Sequence, residues 1–323
     1  MRDSEGRNIE YVRVSITDKC NLRCLYCMPE AGVEYMPHDE LLNYREIQRI
    51  VSCMTRLGVH AVRLTGGEPM ARRGCLNLVS MLKQTEGIDR VAMTTNGILL
   101  RGRVAEAAAA GLDALNISLD TLDPAIFRQM TRCGDVNDVL ATIREAVDCG
   151  LRVKLNAVAV RGLNEGGLCD LAALAREMPV DVRFIELMPV GCGKGLSPVP
   201  NDEIRQRLEA AFGPMPYIDE RRGLGPAVYY RPEGFMGCVG FISAVSHEFC
   251  EHCNRVRLTP EGQLKLCLNH LTGVDLRALV RGGCDDAALT DAIRQAIRNK
   301  PRRHGFADAI DDRESRRMHR IGG

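Results

Sequence analysis

The sequence predicts an α/β fold, a partial (β/α)6 barrel followed by a C-terminal extension. Three observations carry that expectation. Short β-branched runs alternate with helix-like stretches through the first two thirds of the chain. The rhythm breaks after about Pro189. Six of the fourteen cysteines fall into two tight groups, one in each part.

The β-branched runs cover 11–17, 61–65, 90–95, 114–119, 152–160 and 182–187. The helix-like stretches between them cover roughly 44–57, 76–85, 101–110, 137–149 and 166–176. Asp123-Pro124 reads as a helix cap followed by proline at the first helical position. Six strands separated by helices imply parallel βαβ units, because parallel strands need crossover connections. A barrel or partial barrel closes such a sheet, and its chemistry then sits at the strand C-termini.

Beyond Pro189, Gly191-Cys192-Gly193-Lys194-Gly195 and the stretch 213–226 read as loops. Segments 255–259 and 263–268, joined around Pro260-Glu261-Gly262, have a hairpin pattern. Two amphipathic helices follow, at about 275–280 and 286–299, and then a basic tail over 300–323 that ends Gly322-Gly323. The expected division is a barrel over 1–225 and a C-terminal region over 226–323.

At 323 residues and 45% hydrophobic, the chain can bury a large core. Lys and Arg (43) balance Asp and Glu (42), which argues against bulk attraction to nucleic acid or to an anionic membrane. Any anion site must come from local placement of Arg and Lys. There is no run of 18 apolar residues to form a transmembrane helix. The charged start, Met1-Arg2-Asp3-Ser4-Glu5, lacks the apolar segment of a secretory leader. A cytoplasmic location is therefore expected, and there clustered cysteines point to metal or redox chemistry rather than disulfides. Scattered cysteines such as Cys53, Cys149 and Cys284 read as small buried hydrophobes.

The first group is Cys20-Asn21-Leu22-Arg23-Cys24-Leu25-Tyr26-Cys27, a CxxxCxxC spacing just past the first strand. A 4Fe–4S cluster takes thiolate ligands. Three cysteines leave one iron with an open position, which catalysis at a metal needs. The alternative is a zinc site, with His38 as a further ligand. The second group is Cys250-Glu251-His252-Cys253 and, thirteen residues on, Cys267. A CxxC bite with a remote thiolate on a hairpin holds zinc or iron–sulfur, and His252 or His270 could complete a zinc site.

Arg13, Arg63 and Lys154 lie on expected strands, and Arg255 and Arg257 alternate onto one face of another. Guanidinium groups engage phosphate bidentately and Lys acts as a point charge. The bland alternative for each is a solvated face or a structural salt bridge. Gly193-Lys194 lacks the upstream glycine of a P-loop.

CxxxCxxC with Tyr26 before its last cysteine, together with Gly66-Gly67-Glu68-Pro69 at the end of the second strand, resembles the radical S-adenosylmethionine (SAM) superfamily. The barrel is then expected to be of the TIM-type, radical SAM kind. The resemblance implies that the open iron chelates the amino and carboxylate groups of SAM. An electron from the cluster then breaks the sulfonium S–C5′ bond and releases a 5′-deoxyadenosyl radical. It further implies Tyr26 against the adenine, Gly67 in the turn that grips the methionyl amino group, Ser118 at the ribose or carboxylate, and Met188 at the adenine.

The string Phe249-Cys250-x-x-Cys253-Asn254-Arg255-x-Arg257-Leu258-Thr259, with Gly262, Leu264, Cys267 and Leu268, narrows the family. So do Gly6-Arg7, Thr94-Thr95-Asn96-Gly97, Arg161-Gly162-Leu163-Asn164, Lys300-Pro301-x-x-His304 and Ile321-Gly322-Gly323. Together they resemble the GTP 3′,8-cyclase family of molybdenum cofactor biosynthesis. That resemblance implies two 4Fe–4S clusters, on Cys20, Cys24 and Cys27 and on Cys250, Cys253 and Cys267. It implies that Arg13, Arg63, Thr94, Lys154, Arg255 and Arg257 contact GTP. It assigns catalytic roles to Arg255 and Arg257 and to the tail glycines Gly322 and Gly323, which reach into the active site. The second cluster's open iron would take the guanine. Hydrogen loss from C3′ would let that carbon attack C8, giving (8S)-3′,8-cyclo-7,8-dihydroguanosine 5′-triphosphate.

The implied partners are GTP, an electron donor and, functionally, the next enzyme of the pathway, cyclic pyranopterin monophosphate synthase. A homodimer is compatible with the sequence, and no nucleic acid or membrane partner is expected. Two other readings fit the sequence. One is a radical SAM peptide-modifying enzyme, although those usually carry more C-terminal cysteines. The other is a zinc protein that binds RNA through residues 302–320. With 4% aromatic residues and no Trp, the chain offers such a partner little stacking surface.

Overall fold

The computed structural model describes residues 1–220, 222–306 and 318–322. Its first two thirds run β1 (Tyr11–Ser15), α1 (Tyr44–Thr55), β2 (Ala61–Thr65), α2 (Cys75–Lys83), β3 (Arg90–Thr95), α3 (Val104–Ala109), β4 (Ala114–Ser118), α4 (Pro124–Thr131), α5 (Val136–Asp148), β5 (Arg152–Val158), α6 (Leu168–Glu177) and β6 (Val180–Ile185). Successive strands pair in parallel from β1 to β6.

Alternation along the strands divides two environments. Val12, Val14, Val62, Leu64, Val91, Met93, Leu115, Ile117, Val153, Leu155, Val182 and Phe184 join the hydrophobic core beneath the helices. The residues between them face the other way, into the concave side of the sheet. There the sequence places Arg13, Arg63, Thr94, Asn116, Lys154, Asn156 and Arg183. The helices are locally well specified. Asn43 and Glu46 form a reciprocal capping box at the start of α1, and Asp123 caps α4 ahead of Pro124.

The C-terminal part continues α7 (Asn201–Phe212), β7 (Tyr217–Ile218), β8 (Val228–Tyr230), β9 (Val239–Ile242), β10 (Arg255–Leu258), β11 (Gln263–Lys265), β12 (Gly273–Asp275), α8 (Leu276–Arg281), α9 (Asp286–Arg298) and α10 (Met318–Ile321). Two of its strands extend the parallel sheet at opposite edges. β9 lies parallel to β6, and β10 lies parallel to β1. The full order is β12-β11-β10-β1-β2-β3-β4-β5-β6-β9-β8-β7, so residues on both sides of position 225 share one sheet. The hairpin read from the sequence is β10–β11, antiparallel as expected.

The stretch after Pro189 holds more order than its composition suggests. α7 buries only Asn201, Ile204 and Leu208, too narrow a stripe to stand out as an amphipathic pattern. β7 is two residues long and β8 three, below the length at which alternation is readable. α3 starts at Val104, because Ile98–Leu100 forms a separate 3-10 turn after Gly97. Cys53 is buried as expected, but Cys149 is exposed where α5 ends and Cys284 is only half-buried.

Candidate active site

The C-terminal ends of the central strands open into one cavity of about 330 Å³. Both cysteine groups line it, Cys20, Cys24 and Cys27 on one side and Cys250, Cys253 and Cys267 on the other. Arg13, Tyr26, Gly67, Thr94, Ser118, Met188, Arg255 and Arg257 line it as well. Residues that lie far apart in the chain meet here because β10 pairs beside β1 and brings the second cysteine group next to the first strand.

The first group sits on the loop that leaves β1. Asn96 Nδ2 donates to Asn21 Oδ1 at 2.8 Å, tying that loop to the end of β3. Buried Glu68 accepts from Thr95 Oγ1 at 2.8 Å, Asn96 N at 2.7 Å and Met70 N at 3.1 Å, and burial pushes its carboxyl up to about 7. The two preceding glycines answer first to the backbone. A Cβ at Gly67 would stand 2.4 Å from the Lys19 carbonyl oxygen, and one at Gly66 2.6 Å from that of Thr17. They let the end of β2 pack directly against the cysteine loop, and both line the cavity.

Among the described residues, the only His, Cys, Asp and Glu ligand atoms gathered within 4.8 Å of one another are those of Glu248, Cys250 and His304. A zinc ion with Zn–S bonds of about 2.3 Å would draw its thiolates closer together than that. Among the described residues neither cysteine trio is so gathered, and neither His252 nor His270 joins one. All six thiols are free. Burial pushes Cys20 up to about 11, Cys27 up to about 12, and Cys24 and Cys250 up as well. At Cys253 burial also pushes upward, but the Arg255 guanidinium and the Lys300 ammonium outweigh it and bring the thiol down to about 7. Buried thiols of this kind become thiolates when iron binds them.

Tyr26 donates its hydroxyl to Asp120 Oδ2 at 2.7 Å, and Asp120 Oδ1 accepts from Val158 N at 2.8 Å. Burial raises the Asp120 carboxyl to about 6. Asp120 thus fixes the Tyr26 ring against the cavity wall.

The concave side of the sheet is a field of cations. Arg13 aligns with Arg257 on one neighbouring strand and with Arg63 on the other. Burial, then Arg257, pull the Arg13 guanidinium well down, and burial with Arg255 brings Arg257 to about 10. Burial, then Arg183, lower the Lys154 ammonium to about 7. Among the described residues, Arg63 Nε, Arg183 Nε and Thr94 Oγ1 are buried with no hydrogen-bond partner. Buried polar groups are normally satisfied, so these three atoms stand out in this part of the sheet.

Arg63 and Lys154 are not among the residues that line this cavity. Lys154 Nζ donates to the Arg222 carbonyl and to Tyr229 Oη at 3.0 Å, and sits 3.8 Å from Asp181. Arg183 escaped the sequence reading. It is 3% exposed and donates to Asn156 Oδ1 at 2.6 Å; with the Asn116 amide assigned so that its oxygen faces the two guanidinium groups, it shares that oxygen with Arg63. A lone Arg at an alternate position of a strand that is otherwise buried was the available signal.

Gly322 docks beside Ser15 and Thr65, and its carbonyl accepts from Arg257 Nη1. Its φ of +80° belongs to glycine, and a Cβ there would lie 2.7 Å from Thr65 Oγ1. Gly323 and residues 307–317 of the basic tail lie outside the described residues.

The fold and its first cysteine group define a radical SAM enzyme. Residues 14–175 match the model of the radical SAM superfamily, whose members hold a 4Fe–4S cluster and SAM, and residues 180–306 match the family model described as Molybdenum Cofactor Synthesis C. Streptococcus suis SuiB, solved bound to S-adenosylmethionine, shares the fold with a TM-score of 0.62 over 89% of this chain and 68% of its own, at 16% identity. The chain is 42% identical to the GTP 3′,8-cyclase of Clostridium perfringens (strain 13 / Type A) over 323 residues, and 43% identical to that of Desulforamulus reducens over 327, with complete coverage of both chains in each case. The chain belongs to the GTP 3′,8-cyclase family.

Proposed function

We propose that this chain converts GTP to (8S)-3′,8-cyclo-7,8-dihydroguanosine 5′-triphosphate, the first step of molybdenum cofactor biosynthesis. The observation that carries this reading is the cavity that both cysteine groups line together with half-buried Arg13 and Arg255 and buried Arg257. Cys20, Cys24 and Cys27 hold the cluster that binds SAM, and Cys250, Cys253 and Cys267 hold a second. When bound, the first cluster and SAM supply the radical hydrogen abstraction at C3′ of the ribose.

The protein's own part is positioning, charge neutralisation and exclusion of water. Tyr26, braced by Asp120, together with Gly67, Ser118 and Met188, frames the SAM site. Arg13, Arg255 and Arg257 meet the triphosphate first, with Thr94 beside them. Arg63 and Lys154 extend that cationic surface inward, and Lys154 reaches a phosphate by exchanging the Arg222 carbonyl for it. Gly322 and Gly323 bring the tail to Arg257. Residues 1–225 carry radical generation, and 226–323 carry the second cluster and much of the GTP contact. The reaction draws on an external electron donor in the cytoplasm, and the product goes to cyclic pyranopterin monophosphate synthase.

The test is an anaerobic reaction of the reconstituted protein with SAM, a reductant and GTP deuterated at C3′. Deuterium in 5′-deoxyadenosine together with an isomer of GTP is the expected result. Deoxyadenosine without deuterium would reject GTP as the substrate.

A further inference from the structure

Arg7 lies near the N-terminus, away from the barrel lumen, yet it is 6% exposed and all five of its N–H donors are engaged. Nε donates to Asp3 Oδ2 at 2.6 Å, in an ion pair whose side chains are 4% and 0% exposed. Nη1 donates to the carbonyls of Cys250 at 3.1 Å and Arg302 at 2.9 Å. Nη2 donates to those of Lys300 at 3.2 Å and Pro301 at 2.8 Å. The other Asp3 oxygen accepts from the backbone N–H groups of Glu5 at 3.0 Å and Arg7 at 2.9 Å, so the clamp is rigid at its base. One guanidinium therefore bolts the Cys250 loop to the segment 300–302.

That segment carries two groups that stand beside the second cysteine set. The His304 backbone N–H donates to Cys250 Sγ at 3.4 Å. The Lys300 side chain, itself 4% exposed, donates to the Leu266 carbonyl beside Cys267, and its positive charge helps to lower the Cys253 thiol. Both Lys300 and His304 line the main cavity with the three cysteines. Hydrogen bonds to cysteine sulfur set the potential of an iron–sulfur cluster, and buried cations nearby do the same.

We propose that Arg7, locked to Asp3, is a positioning residue for the second cluster: it holds the 300–304 segment so that the His304 N–H and the Lys300 ammonium face the Cys250 and Cys253 sulfurs. The inference rests on the second cysteine set holding a cluster. A planar fork is required, because an ammonium offers three donors and cannot span four carbonyls and a carboxylate.

The experiment compares the wild-type holoenzyme with Arg7→Lys and with the isosteric Asp3→Asn. Iron content and an EPR-monitored redox titration are read for both clusters, using the response to added SAM to mark the first cluster's signal. In Arg7→Lys the second cluster is expected to move to a lower potential, or to lose its iron selectively, while the first keeps its signal. Asp3→Asn should shift it in the same direction by less. Identical second-cluster signals in fully loaded variants, or equal shifts in both clusters, would overturn the proposal. Unfolding of both variants, seen by circular dichroism, would assign the pair to folding alone and overturn it too. A wild-type chain that binds only about four irons would instead refute the underlying two-cluster reading.

Discussion

Arg13 and Arg257 stand side by side across the parallel β1–β10 ladder, a half-buried and a buried arginine in direct register. Neighbouring strands lie about 4.8 Å apart, so the pair repels itself in the free protein. The same contact joins the first strand of the chain to the strand that follows the second cysteine group. A repulsive pair at the seam of a sheet points to a polyanion that both residues meet.

Replacing Arg13 with Met should therefore weaken GTP binding without loosening the fold. Losing a charge-assisted contact of about 1.5–3 kcal/mol corresponds to a fall in affinity of about 10- to 150-fold. Calorimetry gives the affinity and thermal unfolding of the cluster-loaded protein gives the stability. A melting point several degrees lower with unchanged GTP affinity would count against the role.

Lys154 gives a pH dependence. Burial, and next Arg183, bring its ammonium down to about 7, whereas an unfolded Lys keeps its proton to about 10.4. Between those values the unfolded chain binds more protons, so this group makes stability rise with pH across that window. Binding works in the opposite sense. A phosphate beside Lys154 favours the charged form, so at pH 8 GTP binding should take up a proton, and affinity should fall as pH rises above about 7. Calorimetry in two buffers of different ionisation heat measures the uptake. Lys154→Met should abolish it, and an unchanged uptake in that variant would refute the assignment.

Much of this site was legible from spacing. CxxxCxxC after the first strand and CxxC with Cys267 mark the two cysteine sets that line the cavity, and alternation along Arg255–Leu258 puts Arg255 and Arg257 on one cavity wall. What spacing does not carry is which edge a distant strand joins. That β10 pairs with β1, and not with the far edge beside β6, places the second set against the first, and only the register shows it. Arg183 and Asp120 were hidden for another reason. Each is a polar residue inside an apolar strand or at its end, and its meaning depends on partners some 27 and 94 residues away, Asn156 and Tyr26. Arg7 is the extreme case, since its carbonyl partners lie 243 to 295 residues away.

The two cysteine sets should be separable by iron content. Cys250→Ala should leave about four irons per chain and retain reductive SAM cleavage, because Cys20, Cys24 and Cys27 are untouched. Cys24→Ala should leave a similar amount of iron and abolish deoxyadenosine formation. Iron analysis and deoxyadenosine release measure both. Equal loss of iron from both sites in either variant would show that the two sets fold as one unit.

The tail gives the sharpest steric test. Gly322 adopts a φ of +80°, its missing Cβ would fall 2.7 Å from Thr65 Oγ1 and 2.9 Å from Ser15 Cβ, and its carbonyl accepts from Arg257. Gly322→Ala combines a left-handed backbone penalty of about 1–2 kcal/mol with a clash against a β-branched side chain on a central strand. The strand cannot give way, because Ser15 and Thr65 are themselves paired in register. The tail must leave instead, releasing Arg257. The variant should keep both clusters and full thermal stability, should lose cyclised product, and should show the same loss when Gly322 and Gly323 are deleted. Product formation at the wild-type rate from either variant would mean that the docked tail is packing and takes no part in the reaction.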